Sequence, residues 1–198
     1  IAIDAIRKTG FKKLYSLIQG SKKKTLLSSI RCMVIGVPNV GKSSLLNQMA
    51  GRKSAKVANT PGVTRSKMWL KVDRNLELLD TPGILWPKFE DKATGIKLAI
   101  LGSIKEELLN IEQLSIILLQ FLSSNYPENL INRYKVNLEM TPYEMLERIS
   151  QNRQFLISGG ELDLERSAKT VISEFRRGLL GAVSLEKPEE KEGFWYQI

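Results

Sequence analysis

The chain has 198 residues, 42% of them hydrophobic and 26% charged, a composition typical of folded globular proteins with one or two domains. The single cysteine, Cys32, excludes an internal disulfide and favours a cytoplasmic, reducing compartment. The chain has no histidine, which excludes imidazole catalysis, and it has no apolar run long enough to span a membrane. The net charge of +9 is concentrated in residues 1–74, whose only acids are Asp4 and Asp73, which indicates a polyanionic partner such as nucleic acid; a solvated lysine-rich face is the alternative.

Strand and helix patterns alternate in the first half of the chain. Apolar runs of five to seven residues predict strands, and apolar positions repeating at i, i+3, i+4 and i+7 predict helices. The N-terminal Ile is not an initiator Met, so we expect the gene product to begin upstream. The predicted elements are a strand ending at 1–3, a helix over 11–18, a strand over 30–36, a helix over 42–50, an ordered loop over 51–66, and a hairpin of strands 68–72 and 76–80.

The second half of the chain has only helical patterns. Its predicted helices cover about 92–102, 111–124, 142–150 and 161–178. We therefore predict an α/β domain over residues 1–104 and an all-helical domain over 105–198.

A phosphate-binding motif lies between the second predicted strand and the helix after it. The run from Gly36 to Ser43 matches GxxxxGK[ST], whose backbone N–H groups surround phosphate at a helix N-terminus. Lys42 supplies a charge for the β- and γ-phosphates, and Ser43 a hydroxyl for Mg²⁺. The predicted nucleotide-binding residues of this region are Asn39, Val40, Gly41, Lys42, Ser43 and Ser44.

Two further motifs follow the P-loop in the order found in GTPases. Asp80, in Asp-Thr-Pro-Gly at the end of a predicted strand, is a candidate Mg²⁺ carboxylate, and the Gly83 N–H is a candidate γ-phosphate contact. Thr64, in the predicted loop between the two motifs, is a candidate switch residue that reaches Mg²⁺. A nucleotide kinase would need an arginine-rich lid, and a motor ATPase would usually end this strand in Asp-Glu.

The guanine-reading sequence Asn-Lys-x-Asp does not occur in the chain. Either the protein does not select guanine, or that motif precedes the P-loop. A strand end and an amphipathic helix ahead of the P-loop favour the second interpretation, a circularly permuted GTPase domain.

The chain resembles the YlqF/RbgA family of circularly permuted GTPases, which act in assembly of the large ribosomal subunit. The resemblance is carried by residues 36–47, 60–64 and above all 78–88, and it extends to 156–160. It implies a GTP/GDP and Mg²⁺ site and, as partners, a precursor of the large ribosomal subunit and its rRNA. It also implies that Asp4 and Ala5 contact guanine and that Asn39 coordinates K⁺. We expect the protein to be a monomer.

Ile84 occupies the position where Ras-like GTPases carry a water-orienting glutamine. An apolar side chain cannot orient water, so no catalytic residue is assigned, and a non-hydrolysing, nucleotide-dependent RNA-binding scaffold is the alternative function. A P-loop ATPase is disfavoured. The helical half resembles the rRNA-contacting tail of the family, and its candidate RNA contacts are Arg166, Lys169, Arg176 and Arg177. The other candidate RNA surface is the basic loop after the first predicted helix, with Lys22, Lys23 and Lys24.

Overall fold

The computed structural model of the chain describes residues 1–21, 29–51, 68–83, 85, 91–105, 110–186 and 194–196. The chain divides into two compact units, residues 1–87 (the P-loop unit) and 88–198 (the helical unit). The division lies earlier than the predicted boundary at 104/105. Helix α3 (Lys92–Ile100) accounts for the difference, because its Ala93, Ala99 and Ile100 are buried in the core of the helical unit.

The P-loop unit contains a three-stranded sheet in the order β1-β3-β2. Strands β1 and β3 are parallel, with Val34 opposite Asp80, and β2 is antiparallel to β3. The predicted hairpin and P-loop strand are confirmed. Because β1 and β3 are parallel, their carboxyl ends meet at one edge of the sheet, where the two phosphate motifs begin. The elements of this unit are α1 (Phe11–Gly20), β1 (Ile30–Val34), α2 (Lys42–Ala50), β2 (Met68–Lys71) and β3 (Leu76–Asp80).

The first helix and the P-loop helix share the hydrophobic core of this unit. Leu46 of α2 and Leu78 of β3 are almost fully buried, and the apolar face of α1 packs against the same cluster. The Tyr15 hydroxyl of α1 donates a hydrogen bond of 2.8 Å to the carbonyl of Met49. The predicted amphipathic helix is thus confirmed, and it packs against and hydrogen-bonds to α2, the helix that follows the P-loop.

The prediction that residues 1–3 end a strand is wrong for the part of the chain described. The structure assigns these three residues to no strand, and Ile1 is largely exposed. The following residues fold back on themselves instead, since Asp4 and Thr9 exchange backbone hydrogen bonds of 3.2 and 3.1 Å. An apolar run without a neighbouring strand has no ladder of hydrogen bonds to hold it extended.

The helical unit contains the four predicted helices, with some of their ends shifted, and a further helix over 127–134 that was not predicted. Side-chain caps set four of the starts: the side chains of Asp91, Asn110, Thr141 and Asp163 each accept a hydrogen bond from a backbone N–H in the first turn. The last helix therefore begins at 164 and not at 161. The helices are α3, α4 (Ile111–Asn125), α5 (Pro127–Tyr134), α6 (Pro142–Asn152) and α7 (Leu164–Arg176), followed by a 3₁₀ turn at Phe194–Tyr196.

Helix α4 lies at the centre of the core of the helical unit. Leu118, Leu119 and Leu122 have no exposed surface, and α4 packs against α5, α6 and α7. Near the end of the chain, Trp195 is buried and stacks on Phe121 of α4 with ring centroids 4.9 Å apart. Within the described residues, none of the helices has the length and apolar character required to cross a bilayer.

Candidate nucleotide site

The P-loop follows β1 directly and ends at the first turn of α2. Asn39 and Gly41 have φ values of 60° and 92°, left-handed conformations that asparagine and glycine tolerate better than other residues. Alternation of left- and right-handed residues points successive N–H groups to one side, which makes an anion-binding concavity. Gly41 is the N-cap of α2 and contributes no side-chain cap, and the first turn carries no acidic residue. The positive end of the helix dipole therefore adds to the anion site.

Lys42 curls back over this loop. Its Nζ donates to the carbonyl oxygens of Gly36 at 3.0 Å and Val37 at 2.7 Å, so the ammonium lies within the curve of the P-loop. Burial lowers the pKa of Lys42, and the negative charge of Asp80 acts in the opposite direction. The cation is thus held among backbone dipoles where phosphate oxygens would replace carbonyl oxygens as its partners.

Asp80 ends β3 with only 1% of its surface exposed. Burial raises the pKa of this carboxyl, while the nearby Lys42 charge and a hydrogen bond from Ser43 partly offset the effect. Among the described residues, its Oδ1 atom has no hydrogen-bond partner, an arrangement that costs free energy in a protein interior. An orphaned carboxylate oxygen beside a serine hydroxyl fits Mg²⁺, which prefers oxygen ligands and usually binds through one or two carboxylates and retained waters.

The segment after Asp80 is anchored against β1 and the P-loop by two contacts that the sequence motifs do not predict. The Thr81 hydroxyl donates a 2.6 Å hydrogen bond to the carbonyl of Val34, the last residue of β1. Gly83 lies so close to Pro38 that a Cβ added to the glycine would be only 2.6 Å from both Cα and N of that proline. Both contacts involve residues of recognisable motifs, but their long-range partners leave no signal in sequence spacing.

We expect Gly83→Ala to destabilise the P-loop unit by about 1–3 kcal/mol, because the added methyl group overlaps backbone atoms that cannot rotate away. Chemical denaturation followed by circular dichroism measures this change. Gly20→Ala is the matched control, since among the described residues no atom beyond its own helix backbone and its chain neighbours lies within 4 Å of a Cβ at that position. An equal loss of stability in both variants would contradict the close-contact explanation.

A long stretch of the chain, which includes the P-loop, matches a family of known GTPases. Residues 31–155 match the family model described as "50S ribosome-binding GTPase". The chain belongs to this family. Among its relatives, ribosome biogenesis GTPase A of Priestia megaterium is 42% identical over 97% of this chain and 70% of that protein. The protein of the same name from Bacillus cereus is 44% identical over 82% of this chain, which corresponds to 55% of the relative's length.

Solved structures show the same fold. GNP-bound YlqF from T. maritima superposes with a TM-score of 0.58 at 24% sequence identity, covering 89% of this chain and 66% of that one. The GDP-bound form gives a TM-score of 0.54 over 90% of this chain. The family match and the sequence relatives confirm the resemblance to the YlqF/RbgA family, and the solved structures agree with a P-loop GTPase domain of α/β class.

The 50S ribosome-binding GTPase family match includes the P-loop but not the predicted guanine contacts, Asp4 and Ala5. Asp4 Oδ1 accepts backbone hydrogen bonds from Ile6 at 2.8 Å and Arg7 at 2.9 Å. The bond from Arg7 is the main reason that the pKa of Asp4 is lowered. The side chain therefore shapes its own turn, and guanine contact by Asp4 and Ala5 stays a prediction.

The other predicted site residues differ in how much of them the structure shows. Val40 is exposed on the P-loop, and Ser43 and Ser44 are half-buried in the first turn of α2. Thr64, Ile84, Lys22, Lys23 and Lys24 lie outside the described residues.

The basic residues of α7 divide into exposed and internal ones. Arg166, Lys169 and Arg177 are exposed, and Lys169 forms an ion pair with Glu165 one turn away. Arg176, also predicted as an RNA contact, instead donates through Nε to the carbonyl of Ile100 and through Nη2 to that of Ala99, each at 2.9 Å. It satisfies carbonyls at the end of α3, a structural role that periodicity does not reveal.

Arg176→Met should therefore lower the free energy of unfolding of the helical unit by about 1–3 kcal/mol, because it removes two hydrogen bonds from a charged donor to carbonyls of the buried residues Ala99 and Ile100. Arg177→Met, a matched change at an exposed neighbour, should stay within about 0.5 kcal/mol of the parent. Urea denaturation at neutral pH compares the two variants. If Arg177→Met proved the more destabilising, the capping role of Arg176 would be refuted.

Proposed function

We propose that this protein binds GTP with Mg²⁺, hydrolyses it to GDP and phosphate, and couples the nucleotide state to late assembly of the large ribosomal subunit. The observation that carries the proposal is the convergence of the P-loop and the Asp80 segment at one sheet edge, in a chain of the 50S ribosome-binding GTPase family. The names of its relatives, ribosome biogenesis GTPase A, support the coupling to the ribosome.

The residues of the site divide the work of binding a triphosphate. Lys42 and the P-loop N–H groups bind the β- and γ-phosphates, Ser43 and Asp80 hold Mg²⁺, and the Gly83 N–H meets the γ-phosphate. The Thr81–Val34 hydrogen bond keeps the Asp80 segment aligned with the end of β1. When bound, Mg²⁺ would neutralise the negative charge that develops on the phosphate oxygens during hydrolysis.

We further propose that the GTPase domain is circularly permuted, so that the guanine-reading motif precedes the P-loop in the gene product. Helix α1 supports this, because it comes before the P-loop in sequence yet packs in the same core as α2. The chain spans 55–70% of the length of the two relatives named above. Asp4 and Ala5 are the candidates for the guanine edge within these 198 residues.

Asn39 is proposed to coordinate K⁺ beside the phosphates, with its side-chain oxygen as ligand. Its left-handed backbone conformation holds it within the P-loop curve, and it is half-buried. Hydrolysis measured in KCl and in NaCl tests this role. A rate that Asn39→Ala lowers equally in both salts would count against K⁺ binding.

The decisive experiment compares GTP and ATP affinity in the full-length gene product by calorimetry. We expect at least about tenfold tighter binding of GTP, the equivalent of 1.4 kcal/mol. Equal affinities would refute guanine selection.

Phosphate release with and without large ribosomal subunits then separates an enzyme from the alternative scaffold. The apolar Ile84 predicts slow hydrolysis by the protein alone and marked stimulation by the subunit. Binding of GTP without stimulated release would favour a non-hydrolysing RNA-binding scaffold.

We propose that the protein acts as a monomer in the cytoplasm.

A further inference from the structure

A buried carboxylate joins three elements of the helical unit. Glu174 of α7 is 6% exposed and receives hydrogen bonds from two arginines. Arg133 of α5 donates through Nε at 3.0 Å and Nη2 at 2.7 Å. Arg153, which follows α6, donates through Nη2 at 3.1 Å, and its Nη1 lies 2.9 Å from the other carboxylate oxygen. One carboxylate thus fixes the orientation of two guanidinium groups.

Both arginines still reach solvent. Their side chains are 36% and 28% exposed, so the cluster has a buried acidic interior and a basic outer surface. Among the described residues, neither Nη1 of Arg133 nor Nε of Arg153 has a hydrogen-bond partner. A guanidinium has five N–H donors in one plane. When some of them bind a carboxylate, the others can still donate to phosphate oxygens.

Two further arginines on or next to α7 are exposed. Arg166 and Arg177 are exposed and lie eight residues before and three residues after Glu174, positions that share one flank of a helix. Arg166 is held in place by Phe155, whose ring centroid is 4.4 Å from its Cζ. Arg133 and Arg153 contact the carboxylate, and Arg166 and Arg177 add positive charge along the same helix, although residues 75–198 as a whole carry more acids than bases.

We propose that Arg133 and Arg153, oriented by Glu174, form a clamp for two phosphates of an RNA backbone. This inference rests on the proposed function, because it names the surface by which the helical unit would hold rRNA. The clamp loses little side-chain entropy on binding, since Glu174 already restricts both arginines. Glu174 is a positioning residue, and the arginines make the contact.

The first test measures binding of a fluorescently labelled double-stranded RNA oligonucleotide by anisotropy over a range of KCl concentrations. Arg133→Gln and Arg153→Gln should each weaken binding about five- to tenfold and reduce the slope of log affinity against log salt by about 0.7–0.9. In each variant Glu174 keeps the other arginine, so the fold is retained. Arg148→Gln, at an exposed arginine of α6, is the matched control and should change neither quantity.

The second test separates orientation from net charge. Glu174→Gln adds one unit of positive charge, so bulk attraction alone predicts tighter RNA binding. The clamp predicts the opposite, an affinity at least about threefold weaker, because both guanidinium groups lose their anchor. Binding is measured at a temperature where circular dichroism shows each variant folded. Tighter binding by Glu174→Gln, or equal losses in Arg133→Gln and Arg148→Gln, overturns the proposal.

The outcomes distinguish the clamp from the proposed function. GTP affinity should be the same in all these variants, because the clamp lies in the helical unit. If the parent hydrolyses GTP with large ribosomal subunits but binds no RNA duplex, the clamp is refuted and the function stands. If the parent binds RNA through the arginines but shows no subunit-stimulated hydrolysis, the clamp stands and the function is refuted. An acidic peptide that displaces the RNA and binds more tightly than it would assign the surface to a protein partner.

Discussion

Lys42→Ala should lower the affinity of the protein for GTP by about 100-fold or more. The reason is that this ammonium lies within the P-loop, already 2.7 Å from the carbonyl oxygen of Val37, and would otherwise bind the β- and γ-phosphates. Calorimetric titration of GTP in the presence of Mg²⁺ measures the loss. Melting temperature should change little without nucleotide, because burial already disfavours this charge.

Lys12→Ala provides the control for the loss of one positive charge. Lys12 is exposed on α1, in the same unit as the P-loop. Its replacement should leave GTP affinity within about twofold, since exposed charges are screened by salt. Retention of GTP binding by Lys42→Ala to within tenfold of the parent would rule out the P-loop as the phosphate site.

Acidification from about pH 5 to pH 2 should destabilise the helical unit by up to about 3 kcal/mol through Glu174 alone. Burial raises the pKa of Glu174, but hydrogen bonds from Arg133 and Arg153 outweigh it and lower the pKa to about 2 from an ordinary 4.5. A carboxyl with a lowered folded-state pKa stabilises the protein above its unfolded-state pKa. That contribution is lost as the pH falls through the folded-state value.

Urea denaturation of the parent and of Glu174→Gln at several pH values isolates this contribution. The free energy of unfolding of the parent should fall more steeply with acid, and the two proteins should converge near pH 2. Other carboxyls with lowered pKa, such as Asp91 and Glu144, are present in both proteins and cancel in the difference. Parallel curves over the whole range would contradict the role of Glu174.

Much of the P-loop unit could be predicted from sequence because its signals are local. The GxxxxGKS motif lies between an apolar strand and a helix, and the structure has β1 and α2 in those places. The hairpin was equally accessible, since the turn at 73–75 separates two apolar runs that pair as β2 and β3. Side chains that cap helices also have local signals: three of the four capped helices start at the predicted residue, and the Asp163 cap places the start of α7 three residues after the predicted one.

Features that depend on distant partners could not be predicted in this way. Helix α5 was not predicted because its eight residues form too short a segment to stand out, although its apolar positions fall on one face and Pro127 at its start is a usable signal. Arg176 and Glu174 have the sequence pattern of a solvated helix face, and only the fold shows which carbonyls and guanidinium groups they meet. Charge patterns alone cannot separate an arginine that caps a helix from one that contacts RNA.

The orphaned Oδ1 of Asp80 has a consequence for protein engineering. A buried carboxylate with a raised pKa weakens the empty domain, so Asp80→Asn should make the protein more heat-resistant while removing its charge for Mg²⁺. Selection for thermostability alone would therefore enrich inactive clones of this protein. A screening programme would need to retain nucleotide binding as a second criterion, because at this position robustness and activity make opposite demands on one side chain.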